Sequence, residues 1–267
     1  MIKYSLLVLI AGLLTVSCNK KDSITPPATT PVIVSKKVKE IRNAPNDFRT
    51  YTFNPDGSLQ QYSSQFTSRA DGAVSQYSLS FQYDQKRLVK MQAANGYSLY
   101  YYKDGKPHTI QSYNQQNNLF ATSFLTINEK NQVMEIVEQF KVPMSNDLAE
   151  TKTLFFYNSQ GNIVRREYYS RQNLNDPFEF YYKQLYEDYD NKIANKEEVG
   201  TDYFLHDFVL MKNNPGRIIT VDKLGLTGRV DRFEYTYDND GYVLTKKHFV
   251  DNMPNPVIPI TFTYTYW

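Results

Sequence analysis

One short phrase, repeated along the chain, restricts what this sequence can fold into. It runs aromatic, Asn or Asp, two mostly polar residues, Gly or Asn, one further residue, then an aliphatic. It stands as FNPDGSL at Phe53–Leu59, YNSQGNI at Tyr157–Ile163 and YDNDGYV at Tyr237–Val243, and more loosely as INEKNQV at Ile127–Val133. Asn or Asp at the entry bonds its own backbone two residues on, and Pro55 presets φ at the next position. Gly then supplies the left-handed residue that closes a type I turn with a bulge. Asn131 can replace Gly because Asn tolerates that conformation. The flanking residues alternate: Phe233, Tyr235 and Tyr237 share one face of a strand, while Glu234, Thr236 and Asp238 take the other. Each copy is therefore a β-hairpin turn together with its two strands.

Looser copies fill the gaps. They are FQYDQKRLVKM around Tyr83, YYYKDGKPHTI with its Asp104-Gly105 dipeptide, LYEDYDNKIA around Tyr189 and FVLMKNNPGRIITV around Met211. Turn entries then recur about every 26 residues, a spacing that signals a repeat architecture. The expected fold is all-β: about eight tandem antiparallel hairpins in one large twisted or curled meander sheet, which can be partly closed. Residues 38–267 are read as that single domain.

The N-terminal stretch predicts the compartment. A lysine precedes the apolar run Leu6–Leu14, and Thr15-Val16-Ser17-Cys18 ends it with a small residue before Cys. This reads as a secretory signal over residues 1–17, too short for a permanent span. It resembles a bacterial lipoprotein signal, which implies lipid attachment at Cys18 and contact with the membrane through that lipid. The match departs from the usual box, because Leu14 stands one place earlier than the expected leucine. Cys18 is the single cysteine, so no internal disulfide can form. Pro26, Pro27 and Pro31 make residues 18–37 an extended tether.

The aromatic-Asp-x-x-Gly phrase with its aliphatic return resembles the YD repeats of the RHS family. It is still more similar to short hairpin-repeat lipoproteins of the Bacteroidota whose domains have no assigned function. The resemblance covers most of residues 48–267. It implies the repeat scaffold alone: true RHS repeats wind a shell around a toxin, and this chain is too short to enclose one. No catalytic residues carry over.

Charge and hydropathy narrow the function. Thirty basic residues against 28 acidic ones leave the chain close to neutral, which argues against a nucleic-acid partner. About sixteen alternating strands could describe a transmembrane barrel. Against it stand the tether and a mean hydropathy of −0.56. The last strand also opposes it, with Ile260, Phe262, Tyr264 and Tyr266 on one face and threonines in register with Trp267.

Catalytic and metal signals are weak. His108, His206 and His248 fall in different hairpins without a second ligand at metal spacing. Asp238 and Asp240 match part of a calcium loop, but Thr236 stands where the first Asp belongs. Glu135 with Glu138, or Glu197 with Glu198, would serve a hydrolase only if folding brought partners together. No cofactor is expected.

The aromatic runs are the candidate ligand-binding residues: Tyr100, Tyr101, Tyr102, Tyr168, Tyr169, Tyr181 and Tyr182. Alternation puts tyrosines on both faces of their strands, so an uncovered face could hold rings against a ligand. A sheet buried on both faces is the competing reading. The expected protein is a non-catalytic outer-membrane lipoprotein presenting a tyrosine-rich sheet face to a glycan, peptide or envelope protein. The side of the membrane it faces is left open. An envelope scaffold and a carboxylate hydrolase are the alternatives.

Overall fold

The computed structural model describes residues 36–68, 71–142, 147–194, 210–252 and 258–267. The signal, Cys18 and nearly all of the tether lie outside the described residues, as do His206, Glu197 and Glu198. The first eight strands are β1 (Val38–Ala44), β2 (Asp47–Phe53), β3 (Leu59–Thr67), β4 (Val74–Asp84), β5 (Arg87–Ala93), β6 (Gly96–Lys103), β7 (Lys106–Asn114) and β8 (Leu119–Ile127). The second eight are β9 (Val133–Lys141), β10 (Leu148–Tyr157), β11 (Ile163–Arg171), β12 (Glu179–Glu187), β13 (Arg217–Asp222), β14 (Thr227–Tyr237), β15 (Val243–Asp251) and β16 (Ile260–Tyr266).

Every strand pairs antiparallel with its sequence neighbours, and β1 pairs with β16 through Ile41↔Tyr264 and Arg42↔Thr263. The all-β antiparallel meander is thus closed into a sixteen-stranded barrel, where an open or partly closed sheet was expected. Closure leaves no strand edge unpaired.

Antiparallel order gives the barrel two rims. All four copies of the phrase follow even-numbered strands and lie on one of them, the repeat rim. β1 starts there and β16 ends there. The turn chemistry is as read from sequence. In the Tyr157 copy, Gly161 N–H donates to the Asn158 carbonyl at 3.1 Å and Asn158 N–H to the Asn162 carbonyl at 2.9 Å. Asn158 Oδ1 accepts from the backbone N–H of Gln160 and of Asn162, each at 3.0 Å. Gly161 has φ 88° and Asn131, in the loosest copy, φ 57°. Tyr83 and Tyr102 stand beside two-residue turns with positive φ at both positions (Gln85-Lys86 and Asp104-Gly105), also on this rim. The Tyr189 and Met211 entries both stand between β12 and β13, and the residues that would pair ahead of Met211 lie outside the described residues.

The repeat has a second function that the turn chemistry does not explain. In the Tyr157 copy and at three other tyrosines on this rim the hydroxyl reaches back to a backbone carbonyl at or near the start of the preceding strand, whereas Tyr237 bonds the Asp190 carboxylate. Tyr157 donates to Val133 O at 2.9 Å, Tyr102 to Leu88 O at 3.1 Å, Tyr189 to Ile163 O at 2.5 Å and Tyr266 to Val243 O at 2.6 Å. A carbonyl at the end of a ladder has no strand partner, and leaving it buried and unpaired is costly. The aromatic of one hairpin thereby ties down the aliphatic of the hairpin before it. Leu59, Val133, Ile163 and Val243 are each at most 3 % exposed.

Register separates the two faces of the wall. Tyr51, Tyr62 and Leu79 lie in one cross-strand row, with Tyr51 and Tyr62 rings edge-to-face at 5.3 Å. These belong to a continuous buried cluster with Ile41, Phe81, Tyr100, Ile110, Leu125, Ile136, Phe155 and Tyr186. A closed barrel has one face on which such a cluster can form, the lumen. A barrel of sixteen to eighteen strands ordinarily leaves an aqueous channel; residues lining one would be wet, and these are 1–8 % exposed. The repeat-rim half of this barrel is therefore filled.

The neighbouring row on the other face reads Thr52, Gln61, Ser80, Gln92. Another reads Glu234, Lys247, Thr261. Lys152, Glu167 and Lys183 also stand on the outside. Charges at mid-strand are costly against lipid, about 2–4 kcal/mol for each Lys or Arg at the midplane. The exterior is thus built to face water.

Candidate functional site

The far rim, formed by the turns after odd-numbered strands, is built differently from the repeat rim. Two further copies of the turn lie there, YNQQNNL at Tyr113–Leu119 and VDKLGLT at Val221–Thr227. They have the same backbone bonds and positive φ at Asn117 and Gly225. Here the return residue is not packed, and Leu119 is 38 % exposed. Phe66, Val74, Tyr77, Phe120, Leu224, Leu226 and Ile258 are also exposed at or near this rim.

The lumen opens on this side into a cavity of ≈ 510 Å³ between β16 and β4. Its floor is Ile41, Tyr62 and Leu79; its walls are Asn43, Asp47, Phe48, Arg49, Ser64, Gln65, Phe66, Tyr77 and Phe262. Register explains the mixture. The lumen-facing row above Tyr51 and Tyr62 is Arg49, Ser64 and Tyr77, so polar groups replace core residues one step closer to the rim. Tyr62 and Tyr77 hydroxyls are 3.2 Å apart and their rings 5.7 Å between centroids. The Tyr62 hydroxyl is pushed up to about 12 by burial first and by that bond second, so it stays a neutral donor at any physiological pH. Asp47 Oδ1 accepts Thr67 N–H at 2.6 Å, and Gln65 Nε2 donates to Asn46 O at 3.2 Å, bracing the wall.

Charged groups continue the lumen next door. His248 Nε2 lies 2.6 Å from Asp231 Oδ1, and Arg229 Nη2 lies 2.6 Å from the same oxygen. Burial acts to raise the Asp231 carboxyl, but the bonds from His248 and Arg229 prevail and hold it below the usual range. Lys246 Nζ sits 5.0 Å from the Phe233 ring and 5.6 Å from that of Phe262. His108, by contrast, is exposed with Nδ1 against Thr109. Glu135 and Glu138 face opposite sides of β9. Among the described residues no group of His, Cys, Asp and Glu is placed to hold a metal ion.

The seven tyrosines do not form one face. Tyr100, Tyr102, Tyr168 and Tyr182 point into the lumen, Tyr101 and Tyr169 point out, and Tyr181 is exposed with its ring edge-to-face on Tyr182. Tyr100 is part of the buried core, and Tyr102 is a repeat-rim tie. Tyr168 stacks on Tyr182 at 4.2 Å and donates to Gln184 at 3.2 Å, with burial pushing its hydroxyl far up. Outside, Tyr169 bonds Glu167 at 2.8 Å. Tyr181 is the unpaired residue of a bulge opposite Tyr168 and Tyr169. Tyr101 is exposed beside the stacked pair Tyr97 and Tyr113. The cavity residues were not singled out from the sequence. The available signal was the loss of apolar character along one face, Tyr62 to Ser64 and Tyr51 to Arg49, approaching the far rim.

No family model matches the chain, and no curated protein does. Solved structures do. A porin-like protein from Bacteroides uniformis aligns with TM-score 0.55 and 18 % identity over 87 % of this chain and 95 % of its own. A porin-like protein from Bacteroides vulgatus aligns with TM-score 0.61 and 11 % identity over 87 % of this chain and 99 % of its own. At this level of identity the likeness is one of fold: the chain shares the closed antiparallel barrel of these two proteins.

Proposed function

We propose that this protein is a non-catalytic, lipid-tethered component of the bacterial cell envelope whose barrel is a binding cup. The observation that carries the reading is the asymmetry of the lumen, filled at the repeat rim and open in a half-polar, aromatic cavity at the far rim. A filled half does not conduct, which favours a receptacle over a channel. The water-facing exterior favours a barrel held beside a membrane over one inserted in it. The YD-type phrase enters as the device that builds the sealed rim.

A cavity of this size suits a small molecule or the end of a chain. The test is a reporter at each rim. Tryptophan occurs once, as Trp267 on the repeat rim, where Lys39 Nζ lies 4.6 Å from its ring. Placing a second by Phe66→Trp and labelling the full chain with 5-fluorotryptophan gives one resonance per rim. Low-molecular-weight envelope extracts should shift the Phe66→Trp signal and leave Trp267 unmoved. If no fraction moves the far-rim signal, or both move together, the cup reading fails. Palmitate released from Cys18 on hydrolysis, and lost in Cys18→Ser, tests the anchor.

A further inference from the structure

We propose that the cup takes a short neutral oligosaccharide; this deepens the binding-cup reading and rests on it. A sugar presents an apolar C–H face and a rim of hydroxyls within one ring. Its site must therefore offer ring surfaces and paired polar groups side by side. The mouth does so. Phe66 and Tyr77 are each 46 % exposed at the cavity edge, so they have aromatic surface to offer. Ser64 and Arg49 lie between them and the buried floor, and the exposed amide of Asn43 makes no hydrogen bond among the described residues. Tyr62 closes the bottom as a neutral hydroxyl.

Three other ligand classes fit less well. An acyl chain needs a dry tunnel, whereas the polar groups here share the wall with the rings. A peptide held by strand addition needs a free sheet edge, which the closed barrel does not offer. A strongly charged ligand would meet one guanidinium and one carboxylate lining the same cavity, Arg49 and Asp47, a balanced pair that favours a neutral guest.

The experiment titrates the full-length protein carrying the two fluorotryptophan reporters with maltotriose, cellotriose, xylotriose and chitotriose, and separately with palmitate. Saturable movement of the far-rim signal by at least one trisaccharide is the expected result. Calorimetry on the unlabelled chain should give the same affinity, weakened about tenfold by Tyr77→Ala. Asn43→Ala should weaken it with the melting temperature unchanged, which separates loss of a contact from loss of the fold. Movement by palmitate alone overturns the saccharide proposal and leaves the cup standing. Silence toward all five probes overturns the saccharide proposal too, while the cup is then decided by the envelope extracts. Trisaccharide binding that survives both substitutions overturns the assignment to this mouth.

Discussion

The two rims of the barrel use the same turn for opposite purposes. At the repeat rim, the turn delivers an aliphatic into the core, and Tyr157 sets its hydroxyl on the Val133 carbonyl. At the far rim, YNQQNNL makes the same backbone bonds, yet Leu119 returns exposed. Turn chemistry is local and does not know which end of a barrel it is on. What differs is the residue on either side of it and what stands across the lumen to cover that residue.

The largest expected contrast comes from truncating the return residue. Ile163→Ala should cost about 2–5 kcal/mol, as for a large core side chain, and Leu119→Ala no more than about 0.5 kcal/mol. Urea midpoints measure both, and similar losses would dissolve the distinction between the rims. Next comes the tie. Tyr157→Phe leaves the Val133 carbonyl unpaired in a dry site and should cost about 1–3 kcal/mol, whereas Tyr77→Phe at the mouth should cost less than about 1 kcal/mol. Gly161→Ala and Gly225→Ala should each lose roughly 1 kcal/mol to the left-handed backbone. The former should lose more, because its new Cβ would lie 3.0 Å from the Lys212 side chain while that of Gly225 meets open space.

The smallest effect concerns the clasp where the chain enters the barrel. Lys36 Nζ lies 2.6 Å from Asp238 and 2.6 Å from Asp240. Its hydrogen bond holds the Asp238 carboxyl below the usual range. A depressed carboxylate contributes stability above its ordinary pKa and loses it as pH falls through the lowered value. The melting-temperature difference between the protein and Lys36→Met should therefore be constant near neutrality. It should shrink only in acid, below about pH 4. A difference that grew on acidification would contradict the sign.

The sequence made the repeat rim legible because Asn158, Gly161 and Ile163 lie within one short segment and act on one another directly. The split of the tyrosines was legible in principle, since adjacent residues in a strand must point apart. Which ones would be covered was not. Tyr100 and Tyr101 differ only in the face they occupy, and that face becomes a lumen once β1 meets β16. The mouth was hidden for the same reason: Arg49, Ser64 and Tyr77 become neighbours by register across three strands, and their solvent access depends on walls far off in sequence. The Asn-Asn-Pro-Gly run after Met211 has the composition of a turn, and in the fold Asn213 donates to the Lys192 carbonyl and Asn214 to the Asp190 carboxylate, partners that only the closed structure supplies.

Closure carries a consequence for biosynthesis. The Thr263 hydroxyl bonds the Arg42 carbonyl across 221 residues of chain, so the first strand waits for the last before either has its second neighbour. Contacts of such separation form slowly, and until they do both margins of the growing sheet remain templates for pairing with other molecules. A nascent chain halted before Ile260 is thus a ribbon with two sticky margins. It is the form of this protein that a chaperone or a protease would have most reason to meet.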